Sequence, residues 1–542
     1  MVQNCLKDQK DPMPRIDRKL RFAILASLIV LGGWLRFASI GFGLPDKFRP
    51  DEELLITPSL DLGKDWHPHF PDITPYPAGQ VYLLHAVLRS YAMITGSGTS
   101  LPEVYAAESQ ARAYLIAREV SAAMGTATIA AVYWAAELAF GPIAALGSAA
   151  IVAVSSIHVR ESKFAKMQVP SGLWLVLAMG MMLRVARRGR GSDYALAGFF
   201  CALATATTYQ SAPIVFGVLA AHIEARHREN RSLLTALADS RIYVAGCVTL
   251  LTFFCATPFT VLDPHIFRDY HLLAQRTGLP GTQGWWYLLF RVMPDTLGVG
   301  LQIFLLLALV WVIFHPRLGT PGLLALTAVS FLSITVGHPA LMYRYAVNPF
   351  LLMALLAGVL AADLVQLAPK RLGTRWGIQL AVALFSLLLV PSVTRDLQLN
   401  RLLNQSDTRA LARLWIQSNV PPLTVIAATD YDPIWNSYGE PQLPLDYRFV
   451  PLQNFDSLPA RGIHWVFSDS LPGLEAYSPG PTPTEKAALD SEGALLFDLN
   501  PVKDGSPAPV FDPNDAFYVP FQHISSMTRP GPRIRIWMLK PK

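Results

Sequence analysis

The feature that most constrains this chain is a succession of long apolar runs separated by short charged loops. A bilayer-crossing helix needs about 17–25 mainly apolar residues. Such runs lie at 22–44, 112–139, 141–157, 169–187, 194–222, 242–262, 289–314, 320–337, 343–365 and 375–393. In lipid every backbone N–H and C=O must be satisfied within the segment, so these runs are expected to be helices. Composition agrees: 52% of residues are hydrophobic and 15% charged, where soluble proteins carry about 25% charged residues. The chain reads as an α-helical polytopic membrane protein. Its net charge of +6 follows from basic cytoplasmic loops and requires no nucleic acid as partner.

Loop charge sets the expected sidedness. Basic clusters at Arg184, Arg187, Arg188 and Arg190, at Arg226, Arg228, Arg231 and Arg241, and at Lys370, Arg371 and Arg375 belong in the cytoplasm under the positive-inside rule. The first run follows Arg15, Arg18, Lys19 and Arg21. It is too long for a signal-peptide core and reads as a retained anchor with its N-terminus inside. A further apolar stretch, 76–95, carries Gln80, His85 and Arg89; the charge pattern is satisfied when it lies flat in the interface. The run 194–222 then starts and finishes inside, as two short helices breaking around Thr208-Tyr209-Gln210-Ser211 and Pro213. Such a break is tolerated at membrane depth where it packs in protein or lines a cavity. The result is about eleven transmembrane helices. The outer loops are 45–111, 158–168, 258–286 and 337–344, and they hold nearly all the unusual ionisable residues.

After about residue 396 the chain changes character. Residues 407–419 place Leu411, Leu414 and Trp415 at helical spacing, and β-type runs follow at 424–428, 464–468, 494–499 and 534–539, joined by turns such as Ser478-Pro479-Gly480-Pro481. This predicts an extracytoplasmic α/β domain of roughly 140 residues, large enough for its own core. The expected organisation is a cytoplasmic tail (1–21), a transmembrane region (22–395) whose outer loop 45–111 contains the interfacial helix, and the α/β domain (396–542). Of the four cysteines, Cys5 lies in the tail and Cys201, Cys247 and Cys255 in apolar runs, so no disulfide framework is expected.

Four outward elements could carry chemistry. The first is Arg49-Pro50-Asp51-Glu52-Glu53, carboxylates emerging where the first helix leaves the bilayer; an acidic solvated loop is the plain alternative. The second is His158-Val159-Arg160-Glu161-Ser162-Lys163-Phe164-Ala165-Lys166, whose outward cations run against the positive-inside trend and suit an anionic group. The third is Tyr343-Arg344-Tyr345 after His338-Pro339. Its arginine either snorkels to lipid headgroups or holds a phosphate with its fork of donors. The fourth is Thr257-Pro258-Phe259 to Asp263, then Phe267, Asp269 and Trp285-Trp286, interfacial belt residues or the wall of a substrate groove. His67 and His69 near Asp65 and Asp72 make the only dense His/Asp cluster, and Pro68 between them makes a poor ligand pair, so no metal site is expected. The sequence has no P-loop, G-x-S-x-G or Gly-rich dinucleotide fingerprint, so no nucleotide cofactor is expected.

In order and sidedness these elements resemble the GT-C superfamily of polyprenyl-phosphate-sugar glycosyltransferases, especially bacterial proteins similar to protein O-mannosyltransferases and lipid A aminoarabinose transferases. The resemblance runs through Arg49-Pro50-Asp51-Glu52, Tyr76-Pro77, the His158–Ala165 loop, Thr257-Pro258-Phe259, Gly284-Trp285-Trp286 and Arg344-Tyr345. It continues in Asp407-Thr408-Arg409, Trp415-Ile416, Phe517-Tyr518-Val519-Pro520-Phe521 and Arg529-Pro530-Gly531-Pro532. It implies a glycosyltransferase that moves a sugar from a polyprenyl phosphate in the outer leaflet to an acceptor lipid, glycan or protein. The implied catalytic residues are Asp51, as an inverting general base, and Glu52. Arg344, Arg160 and Lys163 would bind the donor phosphate, and Glu161, Gln168, Tyr209, Tyr345, Asp263 and Trp285 would line the cavity. The implied location is a bacterial cytoplasmic membrane. The chain departs from the family at Gln168, where an aspartate is usual. A transporter or flippase of a lipid-linked or anionic substrate, or a diverged membrane scaffold, remains the alternative.

Overall fold

The computed structural model describes residues 16–49, 51–62, 66–68, 77–96, 101, 105, 110–263, 265, 268, 279–337, 340–372, 374–429, 447–452 and 455–540. Among the described residues five segments are long and apolar enough to cross a membrane: Arg18–Phe37, Gln110–Phe140, Gln168–Arg188, Tyr343–Ala368 and Trp376–Asn419. Shorter apolar helices are Pro142–Ala153, Ser240–Ala256, Val299–Phe314 and Thr320–Thr335. Leu250, Leu251, Leu307, Phe314, Leu384 and Leu387 are exposed on the outside of these helices, the arrangement expected where lipid rather than water is the neighbour. The molecule is a helical membrane protein with a C-terminal sheet domain.

Helix Val347–Leu372 is the buried centre: Leu351, Leu352, Ala354, Leu355, Leu356 and Ala357 have no exposed surface. Small residues allow its close approach to Pro142–Ala153. A Cβ at Gly358 would collide with Ser148 Oγ and the Ala144 carbonyl oxygen, a backbone proximity typical of membrane helix pairs. Where the sequence predicts a broken crossing, helix Gly191–Thr207 stops at Thr208, Tyr209–Ser211 forms one 3₁₀ turn, and Ile214–Arg228 resumes after Pro213. Gly79–Thr95 is helical. Arg36 at the end of Arg18–Phe37 is fully buried. It donates to the carbonyl oxygens of Val152 (2.8 Å) and Ala153 (2.9 Å), which end Pro142–Ala153. A cation at a helix C-terminus is favoured by the dipole.

Thr374–Leu403 is a single helix, so it runs unbroken across the expected 395/396 boundary. Asp407 then caps Thr408–Asn419. The sheet has strands β1 (Val425–Ala428), β2 (Arg448–Pro451), β3 (Trp465–Ser470), β4 (Gly493–Leu499) and β5 (Arg533–Leu539), in the order β2-β1-β3-β5-β4. β1 pairs parallel with β2 and β3, whereas β5 pairs antiparallel with β3 and β4. Ala412 and Ile416 of Thr408–Asn419 cluster with Ile426, Phe467 and Ile536; Leu489 of Pro483–Glu492 clusters with Val466 and Trp537. Alternate strand residues thus bury opposite faces.

The β4–β5 connection, residues 500–532, positions the site. Instead of turning back tightly, it packs Phe511, Phe517, Tyr518 and Val519 against Phe42, Phe48, Phe164 and Leu399 of the membrane part. Gly531, at φ +103, leaves no room for a Cβ against Asp407 and Thr408, and the Pro530 carbonyl oxygen accepts from Thr408 N at 3.0 Å.

Candidate active site

Glu52 builds the scaffold. Its carboxylate accepts from Arg118 Nε (2.9 Å) and Nη2 (2.6 Å), and its Oε1 also accepts from Ala165 N (2.8 Å). Arg118 turns its remaining nitrogen to the carbonyl oxygens of Phe42 (2.6 Å) and Ile40 (3.0 Å). Both side chains are fully buried, where removing one partner of such a pair costs about 3–5 kcal/mol. Glu52 thus ties the loop after the first helix to helix Gln110–Phe140 through Arg118 and to the loop before Gln168–Arg188 through Ala165. Asp51 beside it takes φ +64, a left-handed conformation that aspartate tolerates better than most residues.

So placed, Asp51 Oδ2 accepts from Lys166 Nζ at 2.6 Å and lies 2.9 Å from Arg344 Nη2. Arg49 binds Asp515 through Nη1, at 2.8 Å to Oδ1 and 2.7 Å to Oδ2, and its Nη2 lies 3.7 Å from Glu161 Oε2. Arg344 Nη1 reaches Asp515 Oδ2 at 3.4 Å. Three cations (Arg49, Lys166, Arg344) and three carboxylates (Asp51, Glu161, Asp515) thus meet in one network. The side chains of Lys166 and Arg344 are 1% and 4% exposed, whereas those of Asp51 and Asp515 are 16% and 10% exposed. The accessible members of the network are Asp51 and Asp515, whereas Glu161 is 1% exposed.

Burial works to raise the Asp51 carboxyl, but the Lys166 and Arg344 charges and the Lys166 hydrogen bond outweigh it and hold Asp51 well below the usual carboxylate range. Burial, with Arg344 alongside, pulls the Lys166 ammonium down to about 8 against the opposing pull of Asp51. Burial and the Asp515 charge push the Asp512 carboxyl above the usual carboxylate range. Asp515 itself is held low because Arg49, Arg344 and Lys166 overcome its burial.

The other expected site residues divide. Arg160 sits beside the network, yet its fork donates to the carbonyl oxygens of Val519 (2.6 Å) and Pro520 (2.8 Å), and its guanidinium lies 3.8 Å from the Phe521 ring centroid. It clamps the β4–β5 connection. Lys163 points away from Asp51: its Nζ donates to Leu35 O and, at 2.8 Å, to Ala38 O, satisfying the end of the first helix. Lys163, expected to bind the donor phosphate, is thus taken up by the end of the first helix, and Lys166, three residues on across a turn, is the lysine that meets Asp51. Gln168 begins its helix, is 3% exposed, and its Oε1 has no hydrogen-bond partner among the described residues. Tyr345 is half-buried, its ring centroid 6.0 Å from the Arg344 guanidinium carbon. Tyr209 OH lies 3.5 Å from Thr260 Oγ1. Asp263 Oδ2 is 4.0 Å from His67 Nε2, and Trp285 is exposed with its ring 6.4 Å from Phe331. Pro50, Asp65, His69, Asp72, Tyr76, Phe267, Asp269, His338 and Pro339 lie outside the described residues. Among the described residues no group of three or more His, Cys, Asp or Glu could hold a metal ion.

Three members of the network, Arg49, Lys166 and Asp515, were not among the expected site residues, though Arg49 opens the first charged element. Lys166 closes the charged loop that was read as anion-binding. Asp515 lies in Asp512-Pro513-Asn514-Asp515, a turn-type run immediately before Phe517-Tyr518-Val519-Pro520-Phe521. Two carboxylates beside a motif already singled out were the available signal.

Comparison with known proteins follows the same lines. Residues 113–257 match the family model for dolichyl-phosphate-mannose-protein mannosyltransferase. No curated protein sequence matches the chain. Among solved structures, the oligosaccharyltransferase of Archaeoglobus fulgidus tethered with an acceptor peptide is 14% identical, with 90% of this chain and 73% of that one covered and a TM-score of 0.50. ArnT from Cupriavidus metallidurans in the apo state is 13% identical, with 96% and 98% covered and a TM-score of 0.49. The Pmt1–Pmt2 protein O-mannosyltransferase of S. cerevisiae bound to its sugar donor is 16% identical, with 53% and 38% covered and a TM-score of 0.36. The resemblance read from the motifs is borne out to this extent: residues 113–257 are similar to the dolichyl-phosphate-mannose-protein mannosyltransferases, and the chain shares the fold of the Archaeoglobus fulgidus oligosaccharyltransferase.

Proposed function

We propose that this protein is a glycosyltransferase of the hexosyltransferase type. It moves a sugar from a polyprenyl phosphate to a hydroxyl of an acceptor lipid, glycan or protein at the outer face of a membrane. The observation that carries the reading is Asp51, a loop carboxylate held by two buried cations, Lys166 and Arg344. One carboxylate beside two cations provides a base and a phosphate clamp in one place. The mannosyltransferase-type match over residues 113–257 and the fold shared with an oligosaccharyltransferase support it.

In this reading the donor phosphate competes with Asp51 for Lys166 and Arg344. Released from its counter-ions, Asp51 regains the basicity that the ion pairs suppress. It takes the proton of the acceptor hydroxyl as that oxygen attacks the anomeric carbon. The new C–O bond forms on the face opposite the phosphate, the old C–O bond breaks, and its electron pair leaves on the phosphate oxygen. The configuration inverts, and Lys166 and Arg344 stabilise the departing lipid phosphate. The donor is already activated, so no nucleotide cofactor is involved. About eleven helices cross the membrane in this reading, that of a bacterial cell, with residues 1–21 inside, the catalytic region at 22–395 and residues 396–542 outside.

The test is turnover of a radiolabelled polyprenyl-phosphate sugar by purified protein, beside Arg344→Ala. Transfer by the wild type, with donor kcat/KM reduced at least about 100-fold in the variant, supports the reading. Movement of intact donor across vesicles without transfer would instead make the protein a flippase.

A further inference from the structure

Arg344 meets two carboxylates through its two terminal nitrogens: Nη2 lies 2.9 Å from Asp51 Oδ2 and Nη1 lies 3.4 Å from Asp515 Oδ2. We propose that Asp515 is the second carboxylate of this site: a positioning residue, supplied by the β4–β5 connection, that divides the Arg344 fork with Asp51 and sequesters Arg49. This rests on reading the site as one for a polyprenyl phosphate.

The arrangement differs from a single stabilising ion pair in three respects. Asp515 takes two cations, Arg49 through both oxygens (2.8 and 2.7 Å) and Arg344 at 3.4 Å, and Arg344 is the one that also reaches Asp51. The residues around Asp515 are fastened to the loops preceding Arg344. Asn514 Oδ1 accepts from Leu279 N (2.9 Å), Asn514 Nδ2 donates to Leu341 O (3.2 Å), and Asp512 Oδ2 accepts from Tyr343 N (2.7 Å). The guanidinium of Arg49 lies 4.4 Å from the Phe517 ring centroid, so Arg49 is boxed on the Asp515 side.

The consequence is a division of charge. With Asp515 in place, Arg49 is occupied, and Arg344 has one nitrogen for Asp51 and one for Asp515. An arriving phosphate must displace carboxylates to use Arg344, which limits donor affinity. A neutral residue at 515 leaves Arg344 turned wholly to Asp51 or to phosphate, and Arg49 with Glu161 as its carboxylate. Phosphate then binds tighter, while Asp51 is held as a weaker base.

The experiment measures binding of a short-chain polyprenyl phosphate to the purified full chain, with inorganic phosphate as a second arm, in wild type, Asp515→Asn and Asp515→Glu. Transfer kinetics follow on the same proteins. Asp515→Asn is expected to tighten lipid-phosphate binding by roughly five-fold or more, to lower donor KM and kcat together, and to recover kcat in Asp515→Glu. A merely structural role would raise KM. The doubly substituted Arg49→Met/Asp515→Asn leaves no unpaired Arg49 and is expected to show the same tightening should Asp515→Asn fail to fold. Tightening in both arms marks the phosphate group as the ligand, and tightening for the lipid alone adds the chain to the recognised chemistry. Binding by the wild type that the variants leave unchanged or weaken overturns this inference alone. No binding by the wild type overturns the reading of the site and this inference with it.

Discussion

Lys166 Nζ donates to Asp51 Oδ2 at 2.6 Å, joining the loop after the first helix to the loop before Gln168–Arg188. Asp51 is charged throughout the working pH range because its carboxyl is held low. Lys166 is charged below about 8 and neutral above it. Donor kcat/KM is therefore expected to fall as pH rises through about 8, because a neutral amine no longer attracts phosphate. Lys166→Arg keeps its charge at every such pH, so its alkaline limb moves upward. A pH profile from about 6 to about 9.5 checks this; coincident alkaline limbs would contradict it.

Lys163 and Lys166 are expected to separate cleanly. Lys163→Met strips the carbonyl oxygens of Leu35 and Ala38 of their donor and is expected to cost about 1–3 kcal/mol of stability, with donor KM unchanged in the folded fraction. Lys166→Met is expected to raise donor KM about ten-fold or more. Equal effects of the two on donor KM would sink the assignment.

The Glu52–Arg118 pair is assigned to architecture. Arg118→Met leaves a carboxylate buried without its cation, at a cost of about 3–5 kcal/mol, and Glu52→Gln/Arg118→Met recovers part of that loss. Thermal unfolding in detergent measures both. An unchanged Tm in the single variant is the outcome that excludes this role.

Sidedness can be read by labelling. With Cys5, Cys201, Cys247 and Cys255 replaced by serine, Asp504→Cys, exposed in the β4–β5 connection, is expected to react with a membrane-impermeant maleimide on intact cells. Arg190→Cys, also exposed, is expected to react only after the membrane is opened. The reverse pattern would invert the topology.

Much of this organisation is legible along the chain because its causes are local. The break at Thr208–Pro213, the helix after Asp407 and four of the five strands follow from periodicity and turn residues. Strand β2 escapes: Arg448–Pro451 is four residues with no alternation to mark it. At the site, Asp51 and Arg344 stand out as charges at the ends of apolar runs. Which lysine faces Asp51 is decided by a turn after Glu161, below the resolution of any pattern. The Arg49–Asp515 pair joins residues 466 positions apart, and nothing near either residue requires the other. That contact exists because the β4–β5 connection packs its aromatic residues on Phe42, Phe48 and Phe164.

The central claim, that Asp51 is the base and competes with donor phosphate for Lys166 and Arg344, is tested most directly by Asp51→Asn. Single-turnover transfer and polyprenyl-phosphate affinity are measured on the same preparation. The account predicts a kcat about a hundred- to ten-thousand-fold lower together with tighter lipid-phosphate binding, because the two cations lose the carboxylate that occupies them. Undiminished transfer by Asp51→Asn would contradict it.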